Sequence, residues 1–159
     1  VTKDTTSLCF VTTSERPDLT AVTGAWRWDA FFCDGDASFE ELMARERAAA
    51  ADDALLPTVF VLLDGGDPVG MVALCNDDLD DRCDLNPWLA GLYVAPTHRG
   101  KGHARRLIEK TETAAHRAGI RSLSLYTASA ADLYRSSGWT TIETFNRDNT
   151  IFHIMHKAL

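Results

Sequence analysis

The chain has 159 residues, 45% apolar and 25% charged, with 16 basic against 23 acidic side chains and a net charge of −7. That length buries one sizeable core but not two, and the composition excludes a disordered chain. The acidic balance argues against bulk nucleic-acid binding, which needs basic surface to displace counterions.

The opening segment VTKDTTSLCF lacks the long apolar core of a secretion signal. Leu8 to Thr13 alternates apolar and polar residues and predicts a first strand. After Pro17, a favoured residue at a helix start, Leu19, Val22 and Trp26 recur about once per helical turn until Gly35-Asp36 breaks the pattern. Trp26 fits the inward stripe; Trp28, two residues on, faces elsewhere and is read either as surface or as lining of a pocket. Ser38 and Glu41 form an S-x-x-E capping box that opens a second helix through Ala48 to Ala51.

Thr58 to Leu63 and Val69 to Leu74 flank Asp64-Gly65-Gly66-Asp67 and predict a hairpin. The longest strongly apolar stretch, Leu55 to Leu63, is broken by Pro57 and Thr58 and is far short of the ~20 residues that cross a bilayer, so no membrane role is expected. An acidic loop (Asp77, Asp78, Asp80, Asp81, Asp84) leads to a strand over Trp88 to Val94. Ala104, Leu107, Ile108, Thr111, Ala115 and Ala118 then fall on one helical stripe that stops at Gly119. Ser122 to Thr127 predicts a strand, Ser129 to Ser137 a short helix, and Trp139 to Phe145 with Ile151 to His156 a last hairpin around residues 146–149. The order β-α-α-β-β-β-α-β-α-β-β describes one mixed α/β (α+β type) domain over residues 1–159, its core from about residue 8, with helices on a largely antiparallel sheet. Cys9, Cys33, Cys75 and Cys83 form no C-x-x-C pair and no metal-finger spacing. They are expected to be free thiols in a reducing cytoplasm, with no metal site.

The chemically informative stretch is Trp88 to Ile108, a strand running through a basic glycine turn into an amphipathic helix. Gly100 and Gly102 let a ligand approach the backbone, and the unpaired amides of a helix start favour phosphate. Between Arg99 and Arg121, seven basic residues face two acids, so a local +5 sits in a chain of −7. The dinucleotide fingerprint fails because Arg105 stands where a third glycine belongs, and no P-loop pattern occurs. A turn that merely joins strand to helix is the alternative reading of the loop.

Arg99-Gly100-Lys101-Gly102-His103-Ala104 resembles the R/Q-x-x-G-x-G/A motif of the GNAT superfamily, the acetyl-CoA-dependent N-acetyltransferases. Ala131-Asp132-Leu133-Tyr134-Arg135-Ser136-Ser137-Gly138-Trp139 is similar to its A-x-x-[LF]-Y-x-x-x-G-[FW] motif, and IMHKAL at the end resembles its closing strand. The element order agrees from about Leu8 to Leu159. The resemblance implies that the amides of Arg99, Gly100, Lys101, Gly102, His103 and Ala104 cradle the coenzyme A diphosphate. It further implies that the main chain of Leu92, Tyr93 and Val94 bonds the pantetheine arm, that an N–H near Val94 polarises the thioester carbonyl, and that Tyr134 protonates the departing thiolate. Thr127 stands where many members carry an asparagine, which implies altered contacts with the pantetheine.

The implied reaction moves the acetyl group of acetyl-CoA directly to an amine, within a ternary complex and without a metal. The amine must lose a proton first, since an alkylammonium titrates near ~10.4. The glutamate that often serves as base on the fourth strand is missing from Trp88–Val94. Asp77, Asp78, Asp84 and His153 are the candidates, against the alternatives of a solvated acidic loop, a packed core histidine and a water chain. Two other functions stay open: transfer from another acyl-CoA, and a non-catalytic coenzyme A sensor. The acceptor is an unidentified small-molecule or peptide amine, and a homodimer is compatible with the family.

Overall fold

A computed structural model describes residues 7–52 and 54–159. Most of the opening segment read for a secretion signal therefore lies outside the described residues, as does the first part of the 1–159 domain reading. Among the described residues, seven strands form one sheet in the order β1-β2-β3-β4-β5-β7-β6. They are β1 Leu8–Thr12, β2 Thr58–Asp64, β3 Asp67–Cys75, β4 Trp88–Val94, β5 Ser122–Thr127, β6 Thr140–Arg147 and β7 Thr150–Ala158. Every adjacent pair is antiparallel except β4 and β5. The helices are α1 Thr20–Arg27, α2 Phe39–Ala51, α3 His103–Arg117 and α4 Ala131–Ser136.

The central strands are covered on both faces, which explains why β2 and β3 read as apolar runs and not as alternating ones. Phe60, Leu62, Val72 and Leu74 point toward α3 and meet its buried stripe of Leu107, Ile108 and Ala115. Val59, Val61, Met71 and Ala73 point the other way, onto Leu19, Val22 and Trp26 of the first helical segment. The expected capping box forms: the Glu41 N–H donates to Ser38 Oγ at 3.1 Å, and the Ser38 N–H donates to Glu41 Oε2 at 2.8 Å.

Three local details differ from the sequence reading. The first helix enters through a 3₁₀ turn at Pro17–Leu19 and leaves through a π-helical turn at Trp28–Phe32, closed by the Cys33 N–H on the Trp28 carbonyl at 2.9 Å. The short helix starts at Ala131, not Ser129, because the Thr127 hydroxyl accepts the Ala130 N–H at 3.1 Å and holds the preceding residues in a turn. The last hairpin is longer than expected: Asp148 and Asn149 alone make its turn, with φ of 51° and 62°. Among the described residues no helix is long and apolar enough to cross a membrane.

Candidate active site

The sheet opens where its parallel pair diverges. Among the described residues, β4 and β5 are paired at Trp88 and Ser124, beside the Ser124 N–H bonded to the Pro87 carbonyl at 3.2 Å. From there toward Val94 and Thr127 the strands separate. The cause on β4 is a bulge. Val72 of β3 stands opposite both Gly91 and Leu92, and Gly91 takes φ +61°, a backbone that suits glycine. The gap opens into a cleft of about 1090 Å³ that runs from the glycine turn, through the split strands, to the π-helical turn and the β6–β7 hairpin.

At one end stands the turn into α3. Gly100 and Gly102 have φ of +77° and +82° and carry no side chain of their own over those amides; the flexible end of Arg106 lies against Gly102. His98, Arg99, Gly100, Gly102, His103, Ala104 and Arg105 line this end; Lys101 does not. Arg99 folds back, donating from Nε to the Val94 carbonyl at 2.9 Å with its guanidinium over the Tyr93 ring. His103 is buried, and among the described residues neither of its ring nitrogens has a partner. Burial, with Arg106 nearby, holds its pKa below the usual histidine range, so it stays neutral. An open glycine turn, the amide-rich start of a 15-residue helix and an orphaned buried imidazole together fit a diphosphate ligand.

In the middle are Leu92, Tyr93 and Val94 of β4, Thr127 of β5 and Tyr134 of α4, all in the cleft wall. Tyr134 is 5% exposed and its ring meets Trp139 edge-on. Among the described residues nothing bonds its hydroxyl. Burial raises the Tyr134 pKa well above the usual phenol value, so the proton stays on oxygen. The Thr127 oxygen is engaged by the Ala130 N–H, which leaves its own proton to donate.

The other end lies across the sheet, on the α1 face. Arg27, Phe31, Asp34, Asp78, Tyr126, Arg147, Asp148 and Phe152 line it. Of the acidic loop, only Asp78 reaches the cleft. Asp77 is bonded by Asn86 at 2.6 Å, and Asp84 is paired with Arg82 at 3.1 Å. Burial raises the Asp78 carboxyl to about 6, with Arg27 and Arg147 pulling against that rise. His153 sits outside the lining, half-buried, with Nδ1 at 3.4 Å from the Thr141 hydroxyl, and Ile151 on its side of the strand is exposed. Trp28 packs edge-on against Phe39 and does not line the cleft. All four cysteines are free, none lines the cleft, and burial drives the Cys75 thiol up to about 12, far from a reactive thiolate.

Sequence reasoning did not single out Arg27, Phe31, Tyr126, Arg147 or Phe152. Arg27 and Phe31 could have been suspected only from the helix they share, and the π turn that aims Phe31 carries no spacing signal. Tyr126, Phe145 and Phe152 lie within strands, where aromatic residues are common, and read as ordinary sheet aromatics.

A family model described as an acetyltransferase (GNAT) domain matches residues 56–141, more than half of the chain. A search of curated proteins finds no match. Among solved structures, a putative acetyltransferase from Salmonella typhimurium, determined with its cofactor acetyl-CoA, superposes with a TM-score of 0.71 at 18% identity, covering 96% of this chain and 94% of that one. A spermidine N-acetyltransferase from Vibrio cholerae gives 0.72 at 20% identity, with 96% and 94% covered. A GNAT-family acetyltransferase from Streptococcus pneumoniae gives 0.70 at 18% identity, with 96% and 99% covered. These likenesses agree on the fold, and the segment matched by the family model contains both the glycine turn and Tyr134; the chain belongs to the GNAT family of acetyltransferases.

Proposed function

We propose that the protein transfers the acetyl group of acetyl-CoA directly to an amine held at the α1 end of the cleft. The observation that carries this reading is the gap between β4 and β5, with the glycine turn at one mouth and an unbonded, protonated tyrosine in its wall. Acetyl-CoA, when bound, supplies a thioester carbonyl open to attack by a neutral amine.

The protein's own groups have distinct tasks. Amides of Gly100 to Ala104 hold the diphosphate, and the edge of β4 from Leu92 to Val94 bonds the pantetheine arm as an added strand would. A fixed β4 amide near Val94 stabilises charge that develops on the carbonyl oxygen. Asp78, ionised above about pH 6, takes the proton of the ammonium group. The Tyr134 hydroxyl, which holds its proton at neutral pH, gives it to the departing thiolate. Direct attack of the amine on the thioester needs no covalent enzyme intermediate, and none of the cysteines lines the cleft.

Mixing the protein with acetyl-CoA and a panel of amines, with detection of free thiol, tests the reading. Amine-dependent thiol release is expected. Coenzyme A binding without release for any amine and any short acyl-CoA would instead favour a sensor.

A further inference from the structure

The α1 end of the cleft carries fixed charges of both signs. Arg27 is held by Glu46, Nη1 to Oε1 at 3.1 Å, and Glu46 is 2% exposed and also bonded by the Thr23 hydroxyl at 3.0 Å. The guanidinium lies against Gly91, where an added Cβ would be 3.1 Å from Nη2 and 3.2 Å from Nε. Its Nε is buried without a partner among the described residues. A cation is thus fixed over the bulge that opens the gap.

Arg147 ends β6 on the same sheet face. Its Cζ lies 5.9, 5.3 and 5.8 Å from the ring centroids of Tyr126, Phe145 and Phe152. Among the described residues it makes no ion pair, so three rings hold a guanidinium without neutralising it. Asp78 feels both arginines, and Asp34 and Asp148 complete the rim. Carboxylates outnumber guanidinium groups three to two at this rim, and Arg27 is already paired with Glu46, so Arg147 is the cation left without an ion pair among the described residues. A polycation entering here meets two guanidinium groups, and a dianion meets three carboxylates.

We propose that the acceptor is a zwitterion, an amino acid whose carboxylate is taken by Arg147 and Arg27 while its amine turns toward Asp78 and the gap. The planar guanidinium fork matches a carboxylate and is the less costly cation to desolvate. Phe31, 54% exposed, and Phe152 offer an apolar wall to the side chain. This assignment rests on the acetyl-transfer reading and specifies its substrate class.

The test compares each proteinogenic amino acid with its own carboxamide, and with spermidine, at saturating acetyl-CoA. The amine of an amide is less basic, so intrinsic reactivity favours the amide, and a preference for the acid must come from binding. At least one amino acid is expected to exceed its amide and spermidine in kcat/KM by about ten- to hundredfold, the range of a charged hydrogen bond. Arg147→Ala, at an exposed position and with its melting point checked, should bring the acid-to-amide ratio toward one by raising KM for the acid; Arg147→Lys should keep part of the preference. Amides or spermidine used as well as the acids, or coenzyme A binding in calorimetry with no amino acid acetylated, overturns the assignment while leaving the coenzyme reading intact. Absence of coenzyme A binding overturns the transfer reading and this assignment with it.

Discussion

Gly102→Val probes the donor end of the cleft. Gly102 starts α3 with φ +82°, a conformation that costs a residue bearing a side chain about 1–2 kcal/mol. An added Cβ would come 3.0 Å from Arg106 Nη1, the far end of a flexible side chain that can swing away. Swinging breaks its 2.9 Å bond to the Lys101 carbonyl, worth about 1 kcal/mol. The loss of stability is then roughly 2–3 kcal/mol, or a melting point lower by about 4–12 °C for a chain of this size, and the variant stays folded. The effect on coenzyme A is larger. A hydrogen bond to a charged phosphate contributes about 1.5–3 kcal/mol, so blocking two amides weakens binding by roughly 10²–10⁴. Gly100→Ala is the companion: φ +77° brings the same strain, but nothing in the described protein lies within 4 Å of its Cβ, so a loss of coenzyme A affinity there comes from the ligand side of the turn. Isothermal calorimetry with coenzyme A, beside thermal melts, reads both quantities. A folded Gly102→Val protein whose Kd stays within about twofold of wild type refutes the diphosphate cradle.

Tyr134→Phe should lower kcat by about 10²–10⁴, as loss of a general acid does, and leave the affinity for coenzyme A unchanged; turnover at the wild-type level removes Tyr134 from the mechanism. The activity profile should rise through about pH 6 as Asp78 ionises, and Asp78→Asn should lower the rate and erase that inflection. Because the folded-state pKa of Asp78 is raised, folding favours its protonated form. The protein therefore loses stability from this group as pH rises through roughly 4 to 6, so Asp78→Asn should raise the melting point at pH 7.5 and leave it unmoved at pH 4. Glu46→Ala leaves the Arg27 cation unpaired and should cost about 3–5 kcal/mol, visible in urea unfolding; a loss under about 1 kcal/mol would show that the Arg27 cation finds compensation without Glu46.

The sequence was most legible where one local rule decides the outcome. The α3 stripe, the Ser38–Glu41 box and the Gly65-Gly66 turn each rest on interactions within a few residues, and each is found where expected. The donor end was legible for the same reason: glycine turn and helix start are contiguous, so their chemistry travels with the string Arg99 to Ala104. The widening between β4 and β5 is not legible within either strand taken alone. Its local cause, two residues of β4 against one of β3, needs a neighbour in the sheet that no periodicity within Trp88–Val94 reveals. Asp78 could not be told from Asp77 and Asp84 in the sequence, since what separates them is which one finds Asn86, which finds Arg82 and which is left in the cleft.

The acceptor end poses a different problem. Residues 56–141, the segment that matches the family, hold the bulge, the glycine turn, Thr127 and Tyr134, the residues of the proposed donor half. Arg27, Phe31, Arg147 and Phe152 lie outside it, on a helix before the segment and a hairpin after it. They converge because α1 packs on the same sheet face to which β6 and β7 present Phe145 and Phe152, with Trp26 against Tyr93 at 5.3 Å as the contact that seats α1 over β4. The buried Arg27–Glu46 pair joins structure to selectivity. Two apolar residues of similar volume would pack α1 on α2 as stably or more so. A pair that adds little stability yet fixes a cation over Gly91 is better explained by what the cation meets there. Arg27→Met with Glu46→Leu separates the two roles: the double variant should melt within a few degrees of wild type while the preference for a carboxylate-bearing amine falls. Retention of that preference would confine Arg27 to packing and leave Arg147 as the reader of the acceptor's charge.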